Sequence, residues 1–190
     1  MKITTINKFS DVKIIEPHIF LDNRGFFTET YNSAKVEKLG FNEKFYQDNY
    51  STSHKGVVRG LHYQWDNPMG KLVTVFSGAI YDVIVDVKEG SPTYGNSYGV
   101  LLTQHNFKQL WVPPGYAHGF LSLENNTKVV YKCTSVYNQE GEGGINPLED
   151  YLFEEHWNKW ISHKSEIIIS EKDAEAQTLE AYTNNPKFKA

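Results

Sequence analysis

At 190 residues, with 39% apolar and 14% aromatic residues, the chain is long enough to bury a core unaided and too apolar to be disordered. A net charge of −4 argues against a nucleic-acid or anionic-membrane surface as the main partner, while leaving room for a local basic pocket around a phosphorylated ligand. The lone cysteine, Cys133, excludes an internal disulfide, the N-terminus has no signal-peptide layout, and no run reaches the ~20 apolar residues of a membrane span; the expectation is a single domain over 1–190 in the cytoplasm.

The first element the pattern suggests is a short helix over 33–39, stopped by Gly40. An apolar step at Val57-Val58 leads into a polar cluster. Strands then follow at 71–76, 80–87, 98–102, 109–113, 119–123 and 128–133. They are short, rich in β-branched and aromatic residues, and separated by Gly, Pro, Asn and Ser, which is the pattern of an all-β sandwich or barrel. Helical signal returns at 149–157 and after Ser170, a candidate N-cap. The polar tail at 181–190 is expected to be loose.

Several residues carry chemistry. Arg59-Gly60-Leu61-His62-Tyr63-Gln64 places a fork suited to phosphate beside a group that exchanges protons near neutrality. Its plain reading is a surface turn. Pro113-Pro114-Gly115-Tyr116-Ala117-His118 delivers a histidine at the start of a strand and matches the Pro-x-Gly-x-x-His signature of cupin barrels, where that histidine often binds metal. Here His62 is followed by Tyr63-Gln64 and no glutamate occurs between Gln64 and Gly78, so His62 and His118 alone make a poor cage for a transition metal, and nothing in the spacing demands that Asp66, Asp82 or Asp86 complete it. Tyr131 and Tyr137 share a face if 129–137 is one strand, and either can donate a proton or simply pack. Lys71 heads its strand, free to meet an oxyanion or to sit in solvent. Asp82, Ile84 and Asp86 share a face that is solvent in the plain reading; inside a barrel each aspartate would need a partner.

The motifs also occur in a telling order. Asp22-Asn23-Arg24-Gly25-Phe26-Phe27-Thr28-Glu29, Gln47-Asp48-Asn49, Arg59 to Gln64, Gly70-Lys71-Leu72-Val73, Gln109 to Pro113, Gly115 to Phe120, Tyr131-Lys132-Cys133-Thr134 and Ser170-Glu171-Lys172-Asp173 together resemble the dTDP-4-dehydrorhamnose 3,5-epimerase family, from about Ile14 to Asp173. The resemblance implies a cupin-like jelly roll with a few short peripheral helices, working as a homodimer without metal or organic cofactor. It implies that His62 is the base, Asp173 its orienting partner, Tyr131 the acid on the opposite face and Lys71 the group facing the enolate oxygen. Arg24, Glu29, Gln47, Asn49, Arg59, His118, Tyr137, Glu142 and Lys172 match positions around the nucleotide, diphosphate or sugar, with Arg24 reaching into the partner subunit's site. The departure is late. Gly143-Gly144-Ile145 is followed by Asn146-Pro147-Leu148 where many family members carry tryptophan and aspartates, and 151–169 is long and aromatic.

A 4-keto group acidifies C3 and C5, so the implied reaction needs one base and one acid on opposite walls. Fitting this, the chain has no Gly-x-Gly-x-x-Gly dinucleotide fingerprint. The alternatives are a mono-epimerase, a 3,4-ketoisomerase on a related nucleotide sugar, or a non-catalytic sugar-binding cupin.

Overall fold

The computed structural model describes residues 1–190. The chain opens with β1 (Lys2–Ile6), β2 (Phe9–Glu16), β3 (Ile19–Asp22) and β4 (Gly25–Thr28), then α1 (Ser33–Lys38). Next come β5 (Gln47–Ser53), β6 (Val58–Gln64), β7 (Lys71–Ser77), β8 (Ala79–Asp86), β9 (Lys88–Glu89) and β10 (Ser97–Thr103). They are followed by β11 (Gln109–Val112), β12 (Tyr116–Ser122), β13 (Thr127–Cys133) and β14 (Glu142–Gly144). The chain ends with α2 (Asp150–Leu152), α3 (Glu171–Ala174), α4 (Leu179–Thr183) and β15 (Phe188–Lys189).

Two antiparallel sheets form the jelly roll. One has the order β1-β2-β11-β7-β13-β5, the other β10-β8-β12-β6-β14. Between them lies an apolar core that includes Phe9, Val73, Ile80, Ile84, Leu110, Phe120 and Val129. A second core, with Val83, Val85, Leu121, Trp157 and Tyr182, covers the outer face of the five-stranded sheet. A small third cluster packs Val36 and Phe41 on Leu72 and Trp111 of the six-stranded sheet. Strand β8 is therefore buried on both faces.

That double burial corrects the solvent-face reading of β8: Asp82 and Asp86 are both 0% exposed. Asp86 is satisfied by Ser91 Oγ and Thr93 Oγ1, each donating at 2.6 Å, and by the Lys88 backbone N–H at 2.9 Å. The Arg59–Gln64 motif is a strand, β6, and not a surface turn. β13 stops at Cys133, so Tyr137 lies in the following loop and the one-strand argument for Tyr131 and Tyr137 fails. The helix expected over 149–157 is the single turn of α2 running into a π-helical turn, Phe153–Trp157. Its aromatic residues are the cover of the five-stranded sheet, which accounts for the composition of 151–169. The tail is docked, contrary to expectation. Tyr182 is fully buried; its hydroxyl donates to the Val87 carbonyl at 3.0 Å and accepts from the Lys187 backbone N–H at 2.9 Å. Residues 188–189 pair with β9. Ser170 caps α3 as expected, accepting from the Asp173 N–H.

Candidate active site

Between the sheets lies a polar cavity of two adjoining chambers, about 230 and 150 Å³, which share His62, Lys71 and Tyr131. The first is also lined by Arg59, His118, Lys172 and Asp173, the second by Asn49, Tyr137 and Glu142. His62 comes from β6 in the five-stranded sheet, Tyr131 and Lys71 from β13 and β7 in the six-stranded one. The cavity thus has its histidine and its tyrosine on opposite walls.

Glycines allow the two histidines to meet. His62 and His118 are direct cross-strand partners on β6 and β12. At Gly60 (φ 102) a Cβ would lie 2.5 Å from the His118 carbonyl oxygen, so no side chain fits there. His62 Nε2 is 2.7 Å from Asp173 Oδ1, and the Gly60 N–H donates to Asp173 Oδ2 at 3.0 Å. Both carboxylate oxygens are thus engaged. Burial works to raise the Asp173 pKa, but the His62 hydrogen bond and charge outweigh it and hold the carboxyl below its usual range. An ionised Asp173 accepts a hydrogen bond from the Nε2–H of His62 and leaves Nδ1 as the acceptor.

Tyr131 has its pKa raised, mainly by burial, so its hydroxyl keeps its proton. Lys71 Nζ donates to the His62 carbonyl at 3.3 Å, crossing between the sheets. Burial lowers its pKa, against the pull of Cys133, Glu142 and Asp82. Cys133 is itself pushed up to about 11 by burial, which makes it a poor nucleophile.

At the rim, Tyr137 Oη donates to Glu142 Oε2 at 2.9 Å, and Lys172 Nζ bonds the same oxygen. Burial acts to raise the Glu142 pKa, yet these two hydrogen bonds and the His62 charge bring it below normal. Arg59 is held by Ser53 Oγ at 3.0 Å and the Thr52 carbonyl at 3.3 Å. Gln47 does not line the cavity; it bridges Asn49 Oδ1 (2.8 Å) to the Tyr137 N–H (2.9 Å). His118 Nε2 lies 2.8 Å from Asp82 Oδ1.

Two further expected binding residues lie outside the cavity. Arg24 sits at the tip of the β3–β4 hairpin in an exposed ion pair with Asp22 (2.6 Å), and Glu29 pairs with Lys35 (2.7 Å). One residue had no role assigned from the sequence. Gln64 donates to the Asn67 and Val136 carbonyls and accepts from the Asn138 N–H, so it pins the loop that carries Tyr137. Of the two faces the sequence left open for Asp82, the barrel wall holds: Ile80 and Ile84 on one parity and Val83, Val85 and Val87 on the other leave that strand no polar face, and His118 is its partner. The largest cavity, about 720 Å³, lies elsewhere, beneath Leu21, Phe26, Phe27, Phe76 and Phe107, with His105 its sole titratable group.

The sequence pattern of the family described as dTDP-4-dehydrorhamnose 3,5-epimerase matches residues 7–181. The dTDP-4-dehydrorhamnose 3,5-epimerase of Methanothermobacter thermautotrophicus is 45% identical over 160 residues, 84% of this chain and 85% of its own. That of Escherichia coli is 41% identical over 175 residues, 91% of this chain and 92% of its own. A crystal structure of dTDP-6-deoxy-D-glucose-3,5-epimerase from Legionella pneumophila in complex with dTDP-4-keto-L-rhamnose is 40% identical. It superposes with a TM-score of 0.86, covering 100% of this chain and 99% of that one.

Proposed function

The chain belongs to the dTDP-4-dehydrorhamnose 3,5-epimerase family, and from that premise we propose that its polar cavity inverts C3 and C5 of a dTDP-4-keto-6-deoxyhexose. The observation that carries the reading is the placement of His62 and Tyr131 on opposite walls of one cavity, with Lys71 lining it beside them.

The chemistry follows from the geometry. His62 Nδ1, kept unprotonated by the Asp173 contact on Nε2, takes the proton from a carbon beside the ketone. The C–H electron pair becomes a C=C bond and the carbonyl electrons move to oxygen, giving an enolate. The Lys71 ammonium faces that oxygen, and a preorganised group of this kind is often the largest contribution to rate. Tyr131 Oη then delivers a proton to the opposite face of the same carbon, restoring the ketone with inverted configuration. His62 and Tyr131 exchange their protons with solvent before the second carbon is turned over. Arg59, His118 and Lys172 supply cationic donors for a diphosphate. Asn49, Tyr137 and Glu142 frame the sugar and nucleotide end, with Gln47 holding Asn49 and the Tyr137 backbone in place. No redox step occurs, and no cofactor enters the scheme.

The whole of 1–190 acts as one jelly-roll domain, and as a homodimer. Phe20, Leu21, Phe26 and Phe27 on the β3–β4 hairpin are 55, 80, 58 and 68% exposed, a patch that a second copy would cover. Arg24 and Glu29 on and beside that hairpin cannot serve their own cavity and would serve the partner's. No helix is long and apolar enough to cross a membrane.

The test is proton NMR of dTDP-4-keto-6-deoxyglucose with the enzyme in D₂O. The reading requires deuterium at both C3 and C5. Deuterium at one carbon alone would make the chain a mono-epimerase, and none at either would refute the reading.

A further inference from the structure

The cavity carries a second histidine–carboxylate couple that has no part in the steps above. His118 Nε2 is 2.8 Å from Asp82 Oδ1, reached diagonally from β12 to β8, and both groups are buried. The other oxygen, Asp82 Oδ2, is buried with no hydrogen-bond partner. A carboxylate withdrawn from water this fully calls for positive charge beside it. With Nε2 turned to Asp82, Nδ1 is the ring nitrogen that His118 offers to the cavity.

The charge balance of the cavity indicates what that nitrogen does. The basic side chains facing it are Arg59 on β6, Lys71 on β7 and Lys172 on α3. The carboxylates are Asp173 on α3, Glu142 on β14 and, behind His118, Asp82 on β8. Counted as ionised, three of each sign cancel; burial raises the Asp82 pKa and lowers that of Lys71, and neutralising that pair leaves the balance at zero. Tyr131 on β13 stays neutral. A diphosphate diester, ionised on both phosphates, would thus enter a cavity with no net charge to meet it. A histidine is the side chain that can add positive charge near neutral pH. His62 is unavailable, because Asp173 holds one of its nitrogens and the reaction needs the other bare.

We propose that Asp82 is a positioning residue which lets His118 take up a proton as the nucleotide diphosphate binds, so that substrate binding is coupled to the uptake of one proton. The imidazolium places Nδ1–H on a phosphate oxygen and Nε2–H on Asp82, and it neutralises the buried carboxylate in the same step. The inference rests on the reading of a diphosphate-bearing substrate given above.

The experiment is isothermal titration calorimetry with dTDP-glucose, which lacks the 4-keto group and is not turned over. Titrations at pH 8 in buffers of different ionisation enthalpy count the protons bound. The wild-type enzyme takes up close to one proton per site. In Asp82→Asn the side-chain oxygen still accepts from Nε2 but holds no charge. Its proton uptake is lost, dTDP-glucose binds about tenfold more weakly (~1.4 kcal/mol) and KM rises to match, while kcat falls by less than about threefold. His118→Gln removes the group that takes up the proton, must also abolish the uptake, and serves if Asp82→Asn does not fold. Wild-type binding with no proton uptake overturns the inference, as does unchanged uptake in either variant. A loss confined to kcat would place Asp82 behind Lys71 instead of His118, and overturns it too. Failure of the wild-type enzyme to bind dTDP-glucose at all would refute the proposed function itself.

Discussion

Replacing Asp173 with asparagine separates geometry from charge at the base. The side chain keeps its shape but has one oxygen where the carboxylate had two, and both are in use: the His62 ring at 2.7 Å and the Gly60 N–H at 3.0 Å. If the amide oxygen faces His62, the NH₂ group meets the Gly60 N–H, donor against donor. If it faces Gly60, the NH₂ group donates to His62 Nε2, and the ring proton moves to Nδ1, the atom that must be bare. Losing a charge-assisted hydrogen bond costs about 1.5–3 kcal/mol, or roughly 10- to 150-fold in rate. The wrong tautomer adds to this, and the corresponding change in the serine-protease triad costs ~10⁴ in kcat. The expectation for Asp173→Asn is therefore a fall in kcat of ~10²- to 10⁴-fold with KM within about threefold. Because Asp173 is held below its usual pKa, it is ionised throughout the working range, so the defect stays constant on raising the pH from about 6 to 9. Deuterium incorporation at C3 and C5, followed by NMR on a variant whose circular dichroism matches wild type, measures it. A variant retaining more than a tenth of wild-type kcat would refute the claim that Asp173 acts by fixing the His62 tautomer.

The remaining predictions concern the opposite wall, the cation and the C-terminal cover. Tyr131→Phe retains His62-driven exchange with solvent deuterium but loses net inversion; full epimerase activity in this variant would remove Tyr131 from the role of acid. Lys71→Met lowers kcat by ~10²-fold or more, the usual cost of deleting one preorganised group at a developing oxyanion, and a wild-type kcat would show that the ammonium does not meet the enolate. His156 is buried against Tyr81 and Trp157 with neither ring nitrogen hydrogen-bonded, and burial pushes its pKa down to about 4. The unfolded chain takes a proton at this position below about pH 6.5 and the folded one does not, so stability declines as pH falls from about 6.5 to about 4. His156→Phe flattens the Tm profile by calorimetry in that window and not above pH 7; an unchanged slope would contradict the burial argument.

What could be read from the sequence depended on whether the information was local. The middle strands were legible because runs such as Val83-Ile84-Val85 and Val129-Val130-Tyr131 carry their preference in their own side chains. The polar strand β5 (Gln47-Asp48-Asn49-Tyr50-Ser51-Thr52-Ser53) has no such signal; it is a strand because β13 pairs with it, and nothing within seven residues says so. Arg59–Gln64 failed the same way, as a strand mistaken for a turn. The tail seemed loose because its composition is polar, yet the single residue Tyr182, buried under β9 and β6, decides the matter. Docking of this kind is tertiary and cannot be inferred from hydropathy.

For the cavity, residue identity was legible and arrangement was not. His62, Tyr131, Lys71 and Asp173 could be named from their motifs, but their convergence depends on two facts of topology. His62 and Tyr131 belong to different sheets, and Asp173 returns to β6 from 111 positions away. Asp82 shows the limit most clearly. Its alternation with valine reads as one polar and one apolar face only if the strand has a solvent side. Once Trp157, Leu152 and Tyr182 cover the outer face of the sheet, the inner face must be the cavity wall, and a carboxylate there must answer to a cation. The alternation of β8 sets Asp82 on the inner face with Ile80 and Ile84, against His118, while Val83, Val85 and Val87 meet the aromatic cover.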